Sequence, residues 1–235
     1  METVEEQITS GMDALGLAHD ATAIERLALH ARRVLEVNEV MNLTSIPEAE
    51  FVPLHILDSL SALPFISGEP EGPFADLGSG AGYPGITLAV MTGRPVSLVE
   101  SVRKKAAFLE RVCTELCLEA TVHPIRAEEL ALMQGQRFGI VVARALSALP
   151  SLVELAAPLL SPGGVLLCMK GKADPVELER GDVAARLCGL QRERTEAVCV
   201  PRVEAERTIV LYRRVAAPRV PLPRRNGLAQ RQPLA

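Results

Sequence analysis

The sequence of 235 residues predicts an α/β protein with a mostly parallel seven-stranded sheet, closed by an antiparallel hairpin and preceded by a helical extension. Three observations carry this. From about residue 73 onward, short apolar runs alternate with amphipathic helical stretches, the pattern of parallel strands joined by crossover helices. The last two strand-like runs follow each other with no helix between them, so they pair as a hairpin. Before residue 66 only the three-and-four spacing of helices appears.

Taken in order, Ile24, Leu27, Ala31, Val34 and Leu35 mark one apolar helix face opposite Glu and Arg residues. A further helix is expected from Glu48 to Leu63, bringing His55, Asp58 and Ser59 onto neighbouring turns, after a polar loop Asn42-Leu43-Thr44-Ser45 suited to capping it. The stretch Ser67 to Pro73, rich in Gly, Pro and Glu, reads as a linker. Strands are expected at about 73–77, 95–99, 120–125, 138–143 and 163–169. Helices are expected at about 84–92, 102–117, 147–159 and 174–187, each placed as a right-handed crossover requires. Residues 190–200 and 207–213 form the hairpin, with Pro201 after its first strand. Beyond Ala217, four prolines with Asn226 and Gly227 predict an extended basic tail. The organisation expected is a helical extension (1–66), a linker (67–73), an α/β domain (74–214) and a tail (215–235).

Composition removes several classes of function. Hydrophobic residues at 48% and charged residues at 23% suit a globular chain. No apolar run approaches the roughly 18 residues of a membrane span, and Glu2, Glu5 and Glu6 replace the cationic start of a secretory signal. A cytoplasmic protein without membrane association is expected. Five irregularly spaced cysteines without a C-x-x-C pair predict buried thiols, no disulfide framework and no metal site. All 29 acidic residues precede Arg207, and seven arginines follow from there, an asymmetry that points to a polyanionic partner or a solvated tail. With seven aromatic residues and no Trp, stacking platforms cannot be the main grip on a nucleic acid.

The chemistry concentrates in Phe74-Ala-Asp76-Leu-Gly78-Ser-Gly80-Ala-Gly82-Tyr-Pro-Gly85, a strand entering a Gly-rich turn that opens a helix. Gly80 to Gly85 formally satisfies G-x-G-x-x-G, and Glu100 ends the next strand where an acid binds ribose hydroxyls, so a nicotinamide dinucleotide competes here. Asp76 argues against it: a carboxylate beside the turn repels a pyrophosphate and welcomes a sulfonium and an ammonium group, as in S-adenosylmethionine. Asp76, Gly78, Gly80, Gly82 and Glu100 are the candidate binding residues. Glu128 either reaches the adenine end or serves as the acid favoured at a helix N-terminus. Arg144 emerges from a buried strand at the ligand-bearing edge. Lys104 beside Lys105, and Lys170 with Lys172, offer phosphate contacts or solvated helix starts.

Asn38-x3-Asn42-Leu-Thr-Ser, His55-x2-Asp58-Ser-Leu, the loop from Asp76 to Gly85, Glu100-Ser101 with Arg103-Lys104, Arg126-Ala-Glu128, Arg144-Ala, Lys170-Gly171 and the tail from Arg224 to Leu234 together carry a resemblance. The sequence is similar to the bacterial ribosomal RNA small subunit methyltransferase G family, also called glucose-inhibited division protein B. That resemblance implies a Rossmann-like class I S-adenosylmethionine-dependent methyltransferase with a helical N-terminal extension, acting on N7 of a guanine in the decoding region of 16S ribosomal RNA. The substrate would be that RNA, free or in an assembling small ribosomal subunit, and the enzyme a monomer. By motif, Gly78, Tyr83, Ala127, Glu128 and Arg144 would contact S-adenosylmethionine. Tyr83 stands where Phe or Leu is usual, Glu100 where Asp is commoner, and Asn226 where Pro is usual. Guanine N7 is an unprotonated nucleophile, so the reaction needs alignment and no general base. Arg144 and Lys170 are therefore expected to orient guanine O6 or a flanking phosphate as the catalytic pair. Lys104, Lys170, Lys172, Arg219, Arg224 and Arg225 are the expected RNA contacts. Two other readings share these residues: an NAD(P)-dependent oxidoreductase, disfavoured by Asp76 and the closing hairpin, and a non-catalytic RNA-binding assembly factor on the same fold.

Overall fold

The structure, a computed structural model, describes residues 2–69, 71–133, 138–172 and 174–235. Pro70 of the expected linker lies outside the described residues. Helix α1 (Val4–Ala14) opens with a capping box, in which Thr3 Oγ1 accepts the Glu6 N–H and the Glu6 carboxylate accepts the Thr3 N–H. Asp20 caps α2 (Ala21–Asn38) by accepting the Ala23 N–H.

The polar loop that follows does not cap the next helical segment but is tied to both sides: Asn38 Oδ1 of α2 accepts the N–H groups of Leu43 and Thr44, at 2.8 and 2.9 Å, and Thr44 Oγ1 bonds His55 at 2.8 Å. The helix expected over 48–63 is broken into a 3₁₀ turn (Glu48–Glu50), a π-helical stretch (Val52–Leu57), α3 (Asp58–Leu60) and α4 (Leu63–Ile66). Pro53 and Pro64 each lack the N–H that an uninterrupted helix would use.

The strands follow as expected: β1 (Phe74–Leu77), β2 (Val96–Val99), β3 (Ala120–His123), β4 (Phe138–Arg144), β5 (Leu160–Lys170), β6 (Leu190–Val198) and β7 (Arg207–Arg214). They form one seven-stranded sheet of order β3-β2-β1-β4-β5-β7-β6, with β7 antiparallel to both of its neighbours. Between them lie α5 (Gly85–Thr92), α6 (Arg103–Glu115), α7 (Ala127–Leu132), α8 (Leu149–Ala156) and α9 (Pro175–Cys188). Of these, α7 is absent from the periodicity, because six residues are too few to show a repeat.

The central strands are buried on both faces, which is why they read as continuous apolar runs. Along β4, Ile140 and Val142 belong to the cluster that holds Ile8, Leu27 and Val34 of α1 and α2, whereas Val141 and Ala143 join α8 and α9. Burial of each of the larger side chains, such as Ile140, Val141 and Val142, contributes about 1.5 to 3 kcal/mol.

The tail is a correction. It is not extended but packs back over the α8 and α9 face: the Arg219 N–H reaches Leu187 O, helix α10 (Leu228–Arg231) buries Ala229, and Leu222 and Leu234 pack beside it. The cysteines divide, with Cys117 and Cys199 exposed and the other three buried. No helix among the described residues is long and apolar enough to cross a membrane.

Candidate active site

Strands β1 and β4 are neighbours from which the chain winds off in opposite directions, and a ligand crevice belongs at their carboxyl ends. A cleft of about 230 Å³ opens there, walled by Gly78, Gly80, Glu100, Ala127 and Glu128 among others. Gly78 has a φ of +74°, a left-handed backbone that favours glycine, and a Cβ on it would lie 2.6 Å from Leu146 Cδ1, so that the leucine tip would have to shift. At Gly80 the same position faces open space apart from one carbonyl at 3.8 Å. Glu100 is 7% exposed; its Oε2 accepts the Gly80 N–H at 3.0 Å and its Oε1 the Val102 N–H at 2.7 Å. Each oxygen keeps a further lone pair for a ligand hydroxyl.

Four residues of the expected cofactor set do not line this cleft. Asp76 is fully buried and its Oδ2 accepts the Gly85 N–H at 3.0 Å, so it pins the start of α5 beneath the turn. Burial pushes its carboxyl up to about 7, which weakens the electrostatic reason for its choice. Gly82 serves packing: a Cβ there would meet Ile86 at 2.6 Å and the His30 ring at 3.0 Å. Tyr83 is 4% exposed, with its ring stacked between His30 and His55 at centroid distances of 4.5 and 4.6 Å. Arg144 turns to a neighbouring pocket, described below.

His30 is the residue that the pattern hid, since it lies on the apolar face of α2 with Leu27, Ala31 and Val34. Its Nε2–H donates to Ala81 O at 2.8 Å, and desolvation pushes the ring down to about 4. His55 has a defined tautomer. A guanidinium only donates, so the 2.9 Å bond from Arg144 Nη2 makes Nδ1 the acceptor, and Nε2–H then donates to Thr44 Oγ1 at 2.8 Å. Burial, aided by Arg144 and His30, lowers His55 to about 3.

The second pocket, of about 330 Å³, is lined by His55, Asp58, Arg144, Met169, Lys170 and Arg207, and meets the cleft at Ala145, which lines both. Ala145 has a φ of +52°, a strained conformation for a side-chain-bearing residue and of the kind found at functional sites. Asp58, 5% exposed, receives Arg144 Nη1 at 2.7 Å and Arg207 Nε at 2.8 Å. Arg144 Nη1 also donates to Leu54 O, so the N-terminal segment draws this guanidinium away from the cleft. One Nη2–H and the Nε–H remain for a ligand. Lys170 pairs with Glu177 at 2.8 Å and donates to Ser147 O.

Of the remaining cations, Lys104 is exposed at the start of α6, and it is Lys105 that stands on the cleft wall. Lys172 is exposed and pairs with Glu206 at 3.3 Å. Arg219 and Arg225 are exposed. Arg224 is not directed at solvent: its Nε donates to Glu154 Oε1 at 2.6 Å, and Glu154 is 2% exposed.

The strand order, the Gly-rich turn after β1 and the acid ending β2 define the class I methyltransferase fold. A methyltransferase from Pyrococcus furiosus shares it, with a TM-score of 0.54 at 12% identity over 82% of this chain and 99% of that one. So does a protein of echinomycin biosynthesis that converts a disulfide bond into a thioacetal group, with a TM-score of 0.54 at 16% identity over 66% and 81%. The family described as rRNA small subunit methyltransferase G matches residues 23–209. Proteins named ribosomal RNA small subunit methyltransferase G include one from Geobacillus thermodenitrificans, 32% identical over 97% of this chain and 98% of its own. Another, from Acidiphilium cryptum, is 47% identical over 64% and 68%. This chain belongs to the rRNA small subunit methyltransferase G family.

Proposed function

We propose that the protein transfers the methyl group of S-adenosylmethionine to N7 of a guanine in the decoding region of 16S ribosomal RNA, free or in an assembling small subunit. The observation that carries this reading is the junction at Ala145 of a cleft suited to the methyl donor with a second pocket lined by cations. The cleft fits S-adenosylmethionine: Gly80 leaves space, Glu100 keeps lone pairs for ribose hydroxyls, and Ile125, Leu146 and Leu155 offer apolar wall for an adenine. When bound, S-adenosylmethionine supplies an electrophilic methyl group on a sulfonium.

The second pocket offers donors and no free base. His55 Nδ1 is occupied by Arg144, and both oxygens of Asp58 are held by arginines. Such a pocket suits a nucleophile that carries no proton. Guanine presents O6 and N7 as acceptors on one edge. Donors from Arg144 and Lys170 to O6 or a flanking phosphate hold the base while N7 stays free. Holding the reacting atoms in line supplies much of the barrier reduction. The base has to leave its stack to enter the pocket.

The test is incubation of the protein with S-adenosylmethionine and 16S ribosomal RNA or small subunits that lack the modification. Borohydride and aniline cleavage then maps N7-methylguanine. One new protein-dependent cleavage is expected with at least one substrate. If S-adenosylhomocysteine binds but neither substrate gains methyl groups, the protein is a non-catalytic RNA-binding factor. Calorimetric binding of NADH instead of S-adenosylhomocysteine would establish an oxidoreductase.

A further inference from the structure

The basic tail reaches the cofactor cleft. Glu128, on the cleft wall, accepts the Gly227 N–H through Oε1 at 2.6 Å. Glu129 Oε1 accepts Asn226 Nδ2–H at 2.8 Å while its Oε2 accepts the Arg126 N–H, so the start of α7 and the tail are tied twice. Gln230, three residues beyond Gly227, stands on the same wall as Glu128 and Ile125. Other bonds hold this arrangement in place. Arg224 pairs with buried Glu154, next in sequence to Leu155 of the cleft wall, and also donates to Gln232 O at 2.7 Å. Ala229 is 2% exposed, and Arg180 donates to Ala235 O at 2.7 Å.

We infer, on the reading of the cleft as the S-adenosylmethionine site, that residues 224–232 are part of that site: a strap that closes its adenine end, with Gln230 contacting the ligand and Gly227 orienting Glu128. The chemistry is suited to a nucleobase. An adenine edge presents an amino donor beside a ring-nitrogen acceptor, and a glutamine amide carries one group of each kind. Glu128 spends Oε1 on Gly227, which leaves Oε2 for a donor of the ligand. The tail therefore acts on the cofactor as well as carrying exposed cations.

Coupling of this kind is reciprocal: if the strap strengthens ligand binding, the ligand stabilises the strap by the same factor. Affinity for S-adenosylhomocysteine is measured by calorimetry for the full chain, for Gln230→Ala and for a chain ending at Val220. Trypsin cleavage after Arg225 and Arg231, both exposed, is followed with and without the ligand. Gln230→Ala, at an exposed position, should bind about 5-fold more weakly, as the loss of one hydrogen bond predicts. The shortened chain should bind about 10-fold or more weakly, and the ligand should slow both cleavages in the full chain. Failure of the full chain to bind S-adenosylhomocysteine overturns the cofactor reading and the strap with it. Normal binding by the full chain with unchanged Kd in both variants overturns the strap alone. Unchanged Kd in Gln230→Ala alone removes the direct contact, whatever the shortened chain does.

Discussion

His30, Tyr83 and His55 stack in a row that joins α2, the Gly-rich turn and the π-helical stretch, and both imidazoles are buried as neutral rings. Their folded values, about 4 and about 3, lie below the ordinary 6.5, so between those limits the unfolded chain binds more protons than the folded one. Stability from this source is complete above pH 6.5 and is lost as the pH falls toward 4. For His30 the loss amounts to about 3 kcal/mol. Asp76 works in the opposite sense. Its carboxyl, raised from 3.8 to about 7, favours the folded state as it protonates, so the total pH profile mixes both signs. A variant isolates the histidine. His30→Gln retains a donor for Ala81 O but does not titrate, and urea unfolding from pH 7 to 4 should show its stability gap to wild type shift in its favour by about 3 kcal/mol. A gap that stays constant with pH would show that His30 is protonated equally in both states.

The break in the helix expected over 48–63 has a structural use. The π-helical stretch and α3 present His55 and Asp58 toward Arg144 at the end of β4 and Arg207 at the start of β7, so one short segment fixes two strand ends. Removing Asp58 leaves two largely buried guanidinium groups without their acceptor. Asp58→Ala should cost about 3 kcal/mol by urea unfolding, at the low end for buried pairs because Arg144 and Arg207 keep 14% and 21% exposure. Lys172→Ala, which breaks a pair exposed by 81% and 64%, should change stability by no more than about 0.5 kcal/mol. A cost below 1 kcal/mol for Asp58→Ala would remove the clamp. The same elements show what a sequence discloses. The parallel strands are legible because burial on both faces leaves uninterrupted apolar runs, and the turn at Gly78 is legible because positive φ demands glycine. Ala127–Leu132 is too short to show a period. Prolines after Ala217 suggest an irregular, extended tail, but a turn of helix still forms at Leu228–Arg231 and the chain packs, because its anchor, Glu154, lies 70 positions before Arg224. Asp76, Tyr83 and Arg144 are recognisable as part of a motif, yet what each side chain touches depends on His30, Gly85 and Asp58 from elsewhere in the fold.

Across the molecule the seven arginines from Arg207 onward look like one cationic unit in sequence, and folding divides them. Arg207 is paired with Asp58, which it shares with Arg144, Arg213 with Glu69 and Glu193, and Arg224 with Glu154. Arg219 and Arg225 have no ion pair among the described residues, and both are exposed. Arg219 lines a surface groove at the β6 edge of the sheet with Arg186, Arg192 and Arg194 and the acids Asp182 and Glu193. A body that holds all 29 acidic residues repels a polyanion broadly, so under the proposed function a grip on RNA phosphates would fall to such exposed cations. Arg219→Ala with Arg225→Ala should therefore weaken RNA binding and reduce the slope of log affinity against log salt by roughly 0.7 to 0.9 for each phosphate that is no longer neutralised. The double variant should leave affinity for S-adenosylhomocysteine unchanged. Arg224→Ala should do the reverse, keeping the wild-type salt slope while weakening S-adenosylhomocysteine binding, because its removal frees the strap and leaves Glu154 buried without a partner. A wild-type slope in the double variant would move the RNA interface to the second pocket and the Lys105 edge. A reduced slope in Arg224→Ala would mean that this guanidinium leaves Glu154 for a phosphate when RNA binds.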